Sequence, residues 1–317
     1  MRHEFLAWSQ ENIAFAQFSL KIFDDIVLKN PAYLDLVLSD LYRHETHSMG
    51  MVTQVNGCDV PDFYDGKIRV IDTLGHEVAL YEPKNYLDHI AERVEPWTYL
   101  KFPYLKHFGW HGFVDGQQSG VYQATPLSRL NVADRLATPL AQAEFERFYD
   151  RFCARGKASN GRNLPVHHRL ATHWARLIEV LYAAERMEEL LNHPDICDPH
   201  VRQIVQARAG VGIASVEAPR GTLTHHYETD DNGILTKVNL IVGTTNNNAP
   251  ISLSIMKAAK GLIKGGVFND GILNKVEMAF RLYDPCCSCA THALGKAPLE
   301  LTLRDASGHV LDRMTRA

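Results

Sequence analysis

The stretch HHRLATHWARLIEVLYAAERMEELLN, residues 167–192, constrains the fold more than any other part of the chain. Leu170, Trp174, Leu177, Leu181, Ala184 and Leu191 recur at three-, four- and seven-residue steps. That spacing lines them along one side of a helix. Asn192-His193-Pro194 stops it, because proline forces the residue before it out of the helical region. PLAQAEFERFYDRFCAR, starting at residue 139, carries a second strong helical pattern. Residues 3–29 carry a third, with Phe15, Phe18, Ile22 and Ile26 as its expected apolar face and Asn30-Pro31 as its end.

The remaining segments are shorter. AYLDLVLSDLYRHE reads as a short helix, APISLSIMKAAKGLIKGG as a helix running to a Gly-Gly end, and LNKVEMAFRLY as another. GKIRVIDTLGHEVALY (66–81) alternates apolar and polar residues on both sides of a glycine, which suggests a hairpin. GILTKVNLIVGTT (233–245) reads as a strand leaving the turn Asp231-Asn232-Gly233, and LELTLRDASGHVLDRM near the end as a second hairpin. Residues 96–131, rich in aromatics, glycine and proline, are expected to be ordered but irregular. The fold class is α+β, predominantly helical, with small β-hairpin elements.

Composition excludes several roles. The chain has 317 residues, 45% hydrophobic and 22% charged, with a formal charge of -4. That balance describes a globular protein without the basic surplus that nucleic acid or an anionic membrane would recruit. No apolar run reaches 18 residues, so no membrane span is expected, and MRHEFLAWSQ has no secretory core. Six cysteines are too few for a disulfide scaffold. Cys286, Cys287 and Cys289 crowd into RLYDPCCSCATHALG (281–295), a clustering that favours metal or redox use in a reducing compartment.

Cys286 and Cys289 form C-x-x-C, with His292 three residues on. Side chains three apart converge on one side of a loop or helix start, so two thiolates can hold one metal. Thiolates suit nickel, iron, zinc or copper(I), not magnesium or calcium. By itself the motif also fits a structural zinc half-site or a dithiol pair. No second C-x-x-C completes a zinc cage, and the preceding helix is not the context of a thioredoxin-like pair. The other candidates are weaker. His44, Glu45 and His47 lack the i, i+4 histidine spacing of a zinc-protease helix and read as a partly exposed helix end. His167, His168 and His173 read as helix-start residues, and Cys58, Cys153 and Cys197 as buried small hydrophobes.

DPCCSCATH (284–292) closely resembles the C-terminal signature D-P-C-x-x-C-x-x-H of nickel–iron hydrogenase large subunits. EAPRGTLTHHY (217–227) is similar to that family's A-P-R-G segment, and VNLIVGTTNNN (238–248) to the strand and loop after it. EPWTYLKFPYLK and ATPLSRLNVADRLATPLA resemble the cytoplasmic branch that includes viologen-, F420- and NAD-linked enzymes. The resemblance covers most of the chain. It implies the large-subunit fold, reversible oxidation of dihydrogen and a cytoplasmic location. It also implies nickel, together with iron carrying carbon monoxide and cyanide. Cys286 would be a terminal nickel ligand and Cys289 a nickel–iron bridge, with Cys287 incidental. Arg220 would stand over the metals, oriented by Asp284 through a charge-assisted pair. Pro219 would line the pocket and Thr244 would donate to an iron-bound cyanide. His292 and the carbonyl of Leu240 would serve a nearby magnesium-type site. The implied partners are an iron–sulfur small subunit, electron-acceptor subunits, nickel-insertion proteins and a maturation peptidase. Residues 1–292 would then be a partial catalytic domain. The peptidase would remove residues 293–317 by cutting after His292.

The family's other pair of nickel ligands lies in an N-terminal R-x-C-G-x-C, and this sequence contains none. The expectation is therefore a chain that begins inside the large subunit, lacks that N-terminal part and is inactive in isolation. Gly243 replaces a proline common among relatives, which is expected to leave the neighbouring loop less fixed. The alternative is a non-catalytic hydrogenase-derived protein binding zinc or nickel through Cys286, Cys289 and His292.

Overall fold

A computed structural model describes residues 1–152, 161–267, 269–286 and 299–316. Cys153, Cys287, Cys289 and His292 lie outside the described residues.

The three helical patterns form one bundle. Helix α1 (Arg2–Phe23) continues through a π-helical turn (Asp24–Leu28), and Asn30 caps α2 (Pro31–Val37) by accepting from the Ala32 N–H at 3.1 Å. Further along lie the four-residue α3 (Tyr86–His89), then α4 (Pro126–Val132), α5 (Pro139–Phe152) and α6 (Thr172–Asn192). Phe145, Phe148, Trp174, Ile178 and Leu181 are nearly inaccessible and make the core shared by α1, α4, α5 and α6. The expected apolar face of α1 is a correction. Phe15, Phe18, Ile22 and Ile26 are 41–64% exposed, while Ser9, Ala16 and Leu20 are buried. α6 supplies the bulk, so the side of α1 facing it must be small.

The expected hairpin at 66–81 belongs to a larger sheet. Strands β1 (His47–Val55), β2 (Cys58–Pro61), β3 (Lys67–Ile71) and β4 (Glu77–Tyr81) pair antiparallel in the order β2-β1-β3-β4. The segment expected to be irregular holds regular structure as well. β5 (Ile90–Val94) pairs with β6 (Lys101–Leu105), and β7 (Tyr122–Gln123) runs parallel to β1. α4 follows at once, its start closed by a reciprocal box between Thr125 and Ser128.

Strands β8 (Gly210–Ala218), β9 (Gly221–Thr229) and β10 (Leu235–Ile241) form an antiparallel sheet, where one strand was expected. β10 leads into the four-residue α7 (Gly243–Asn246), then α8 (Asn248–Leu262) and α9 (Asp270–Arg281). α8 and α9 pack with α2 around Val37, Tyr42, Ala258, Ala279 and Tyr283. The hairpin near the end forms as β11 (Leu299–Arg304) and β12 (Val310–Arg316).

Two minor expectations fail. His44 and His47 are 1% and 0% exposed rather than a polar helix end, and His47 opens β1. Cys58 is half-buried and Cys197 exposed, so neither is a buried hydrophobe.

Candidate metal centre

Three chain segments converge beside the cysteine motif: the β8–β9 turn, the start of α7 and the end of α9. The turn consists of Pro219 and Arg220, flanked by the paired residues Ala218 and Gly221. Gly221 has φ of 144°, and a Cβ there would lie 2.1 Å from the Ala124 carbonyl oxygen and 3.0 Å from that of Gly243. Only glycine lets three backbones approach so closely. A Cβ on Gly243 would in turn meet the Gly221 oxygen at 3.1 Å. Gly243 is thus tightly packed, against the expectation of a less fixed loop.

Below the turn lies a cluster of buried charge. The Arg129 guanidinium donates to Glu217 at 2.8 Å, to both oxygens of Glu179 at 2.6 Å, and to the carbonyls of Ala218 (2.9 Å) and Pro219 (3.3 Å). The other Glu217 oxygen accepts from the Met51 N–H and the Thr222 hydroxyl, each at 2.8 Å. The Arg129 and Glu217 side chains are each 1% exposed. Desolvation pushes the Glu217 carboxyl up, and Arg129 pulls it back. Desolvation also opposes the charge on Arg129, but the two glutamates outweigh it and keep the guanidinium protonated.

At the surface of this cluster, Arg220 Nε donates to the Asp284 carbonyl oxygen at 2.6 Å and faces the Asp284 carboxylate at 3.1 Å. The pair is 38% and 51% exposed. Nη1 and Nη2 of Arg220 have no hydrogen-bond partner among the described residues. Asp284 sits at φ of 49°, in the left-handed region that aspartate tolerates better than most residues. It turns the chain out of α9 toward Cys286, whose N–H donates to the Thr244 hydroxyl at 3.2 Å. Tyr283 anchors the same turn from inside. Its hydroxyl lies 3.1 Å from His44 Nε2 and 2.9 Å from the Ser254 hydroxyl. Burial pushes the Tyr283 hydroxyl up to about 12 and His44 well below its ordinary value, so both are neutral.

The structure therefore brings together Pro219, Arg220, Thr244, Asp284 and Cys286. Leu240 stands opposite His225 in the β9–β10 ladder, four residues before Thr244. Among the described residues no group of three His, Cys, Asp or Glu side chains could hold a metal. The one soft donor at this corner is the Cys286 sulfur, which suits a soft metal better than a hard one, and the one carboxylate is already held by Arg220. Sequence reasoning missed Arg129, Glu217, Asn246 and Asn247. Asn246 accepts from the Tyr122 hydroxyl at 2.5 Å and donates to the Thr222 carbonyl at 2.6 Å. The run of three consecutive asparagines at 246–248 was the available signal. A separate cleft of about 870 Å³, lined by Tyr64, Tyr182, Met187 and Leu191 among others, shares none of these residues.

Residues 118–292 match the nickel-dependent hydrogenase family, to which the chain belongs. It is 43% identical to an iron-sulfur subunit of the F420-non-reducing hydrogenase of Archaeoglobus profundus, over 98% of this chain and 62% of that protein. It is 39% identical to the beta subunit of the NAD-reducing hydrogenase HoxS of Cupriavidus necator, over 96% of this chain and 58% of that one. Among solved structures, an NAD+-reducing [NiFe]-hydrogenase in the H2-reduced state matches with a TM-score of 0.77 and 33% identity, covering 92% of this chain and 59% of that chain. The chain thus spans about three-fifths of the length of the curated relatives it matches. Among the described residues no helix is long and apolar enough to cross a membrane.

Proposed function

We propose that this chain is part of the large subunit of a nickel–iron hydrogenase and contributes Cys286 and Cys289 as two of the nickel's thiolate ligands. The observation that carries this reading is the Arg220–Asp284 pair beside Cys286, with Thr244 bonded to the Cys286 N–H. When bound, the nickel and iron supply the redox chemistry that splits or forms dihydrogen. The chain's own residues hold and orient. Arg220 presents unpaired N–H groups over the site, and Asp284 fixes its direction. Thr244 anchors the ligand loop while its hydroxyl proton stays available to an iron-bound diatomic ligand. Pro219 lines the pocket, and His292 with the Leu240 carbonyl serves a magnesium-type ion. The electron partner is an iron–sulfur small subunit linked to acceptor subunits, in the cytoplasm. Nickel-insertion proteins load the metal, and a maturation peptidase then removes residues 293–317.

The test is metal analysis of the reduced, anaerobically purified protein beside Cys286→Ser. Nickel is expected to fall from near-stoichiometric to background in the variant, and unchanged nickel removes Cys286 from the ligand set. The 317 residues contain one C-x-x-C. The chain alone is therefore expected not to reduce viologen with dihydrogen. Bound zinc in place of nickel, insensitive to nickel supply, favours a non-catalytic metal-binding protein.

A further inference from the structure

We infer that Asn247 is a positioning residue that sets Arg220 against the Cys286 loop; this rests on the proposed roles of Arg220 and Cys286. The residue is 1% exposed, and its side chain ties three segments together. Oδ1 accepts from the Ala124 N–H at 2.9 Å. Nδ2 donates to the carbonyls of Ala124 at 2.8 Å, Arg220 at 3.0 Å and Gly243 at 3.1 Å. Its main-chain N–H bonds the Thr244 carbonyl at 2.9 Å, and Thr244 holds the Cys286 N–H. One residue thus spans from the carbonyl of Arg220 to the anchor of the cysteine loop.

The surroundings explain why this residue must be asparagine. Gly221, Gly243 and Ala124 pack backbone to backbone, too closely for a side chain to act as spacer. Three carbonyls converge on one point and need an amide donor, while the Ala124 N–H needs an acceptor from the same side chain. Aspartate is isosteric but presents two acceptors to three carbonyl oxygens. Asn131 offers a built-in control. It is 7% exposed and bonds Ser48, Val166 and Tyr149, none of which belongs to the metal corner.

Two readouts test the assignment on the full chain, reduced and anaerobic. One is the NMR signal of the Arg220 Nε–H, identified by its loss in Arg220→Lys. The other is titration with nickel(II) alone, followed by thiolate-to-nickel absorption. Asn247→Asp is expected to broaden or shift the Arg220 signal and weaken nickel binding about 10–100-fold, the range for residues that orient a metal's ligands. Asn131→Asp is expected to lower thermal stability while leaving both readouts as in the parent. If Asn247→Asp does not fold, Asn247→Ser, which keeps a small donor and acceptor, is read the same way. An Arg220 signal and nickel affinity unchanged in the folded Asn247 variant overturn the inference. If the parent binds no nickel but the Arg220 signal still collapses on substitution, positioning stands and the hydrogenase reading of Cys286 fails.

Discussion

The corner around Arg220 and Cys286 has a floor and a rim, and they are built by different physics. The floor is Arg129, Glu217, Thr222, Asn246 and Asn247, each no more than 9% exposed and each with several hydrogen bonds to backbone or charge. The rim is Arg220, Asp284 and Cys286, partly open to solvent and held by an ion pair and two main-chain bonds. Charge is costly to unpair in the floor, where water cannot replace a lost partner, and cheap to unpair in the rim. The geometry of the corner is therefore carried by the buried groups, while the rim is held more loosely.

The sharpest way to break this contrast is Arg129→Ala. It strands two carboxylates, one of them fully buried, and should cost about 3–5 kcal/mol in chemical denaturation. A loss below about 1 kcal/mol would place the floor under the same rule as the rim. Gly221→Ala comes next. Its backbone conformation alone should cost about 1–3 kcal/mol, before the clash with the Ala124 carbonyl is counted. Acid is a third probe. His44 lies beneath the rim, with burial as the main force holding its imidazole neutral; His47 is lowered to about 4 and His167 to about 3. The unfolded chain binds protons at these sites from about pH 6.5 downward, while the folded chain resists. Stability should then be fully present above that pH and fall as pH drops toward about 4. The slope of melting temperature against pH should flatten in His44→Gln; an unchanged slope would exclude His44 from the acid response.

Much of this was legible in the sequence, for identifiable reasons. α6 announced itself because its buried face is made of large residues at regular steps. α1 shows the limit of the same signal. Its large apolar residues mark a real stripe, but periodicity does not say which neighbour covers it, and Ala16 and Leu20 are what α6 accommodates. The rim was legible because Arg220, Asp284 and Cys286 sit in short, distinctive strings. The floor was not, because Arg129, Glu217 and Asn247 are distant in sequence and meet only once β8, α4 and the α7–α8 junction are assembled. A buried arginine or asparagine also looks the same in sequence as an exposed one. β1 and β2 were missed because their nearly inaccessible residues include Ser48, Met49, Asp59 and Val60 as neighbours, which blurs the alternation that marks a strand.

The smallest expected effect belongs to the rim. Asp284→Asn keeps a residue that tolerates the left-handed backbone at 284 and keeps the carbonyl that accepts from Arg220 Nε. It removes only the carboxylate's attraction for the guanidinium. For a pair this exposed, that should be worth about 0.2–1 kcal/mol, and less as added salt screens it. Asp284→Ala should cost roughly 1 kcal/mol more, because alanine is strained at positive φ. Comparing the two variants by denaturation at low and high salt separates charge from backbone. A loss above about 2 kcal/mol for Asp284→Asn, persisting at high salt, would mean that the Arg220–Asp284 pair is part of the floor rather than a partner held ready at its edge.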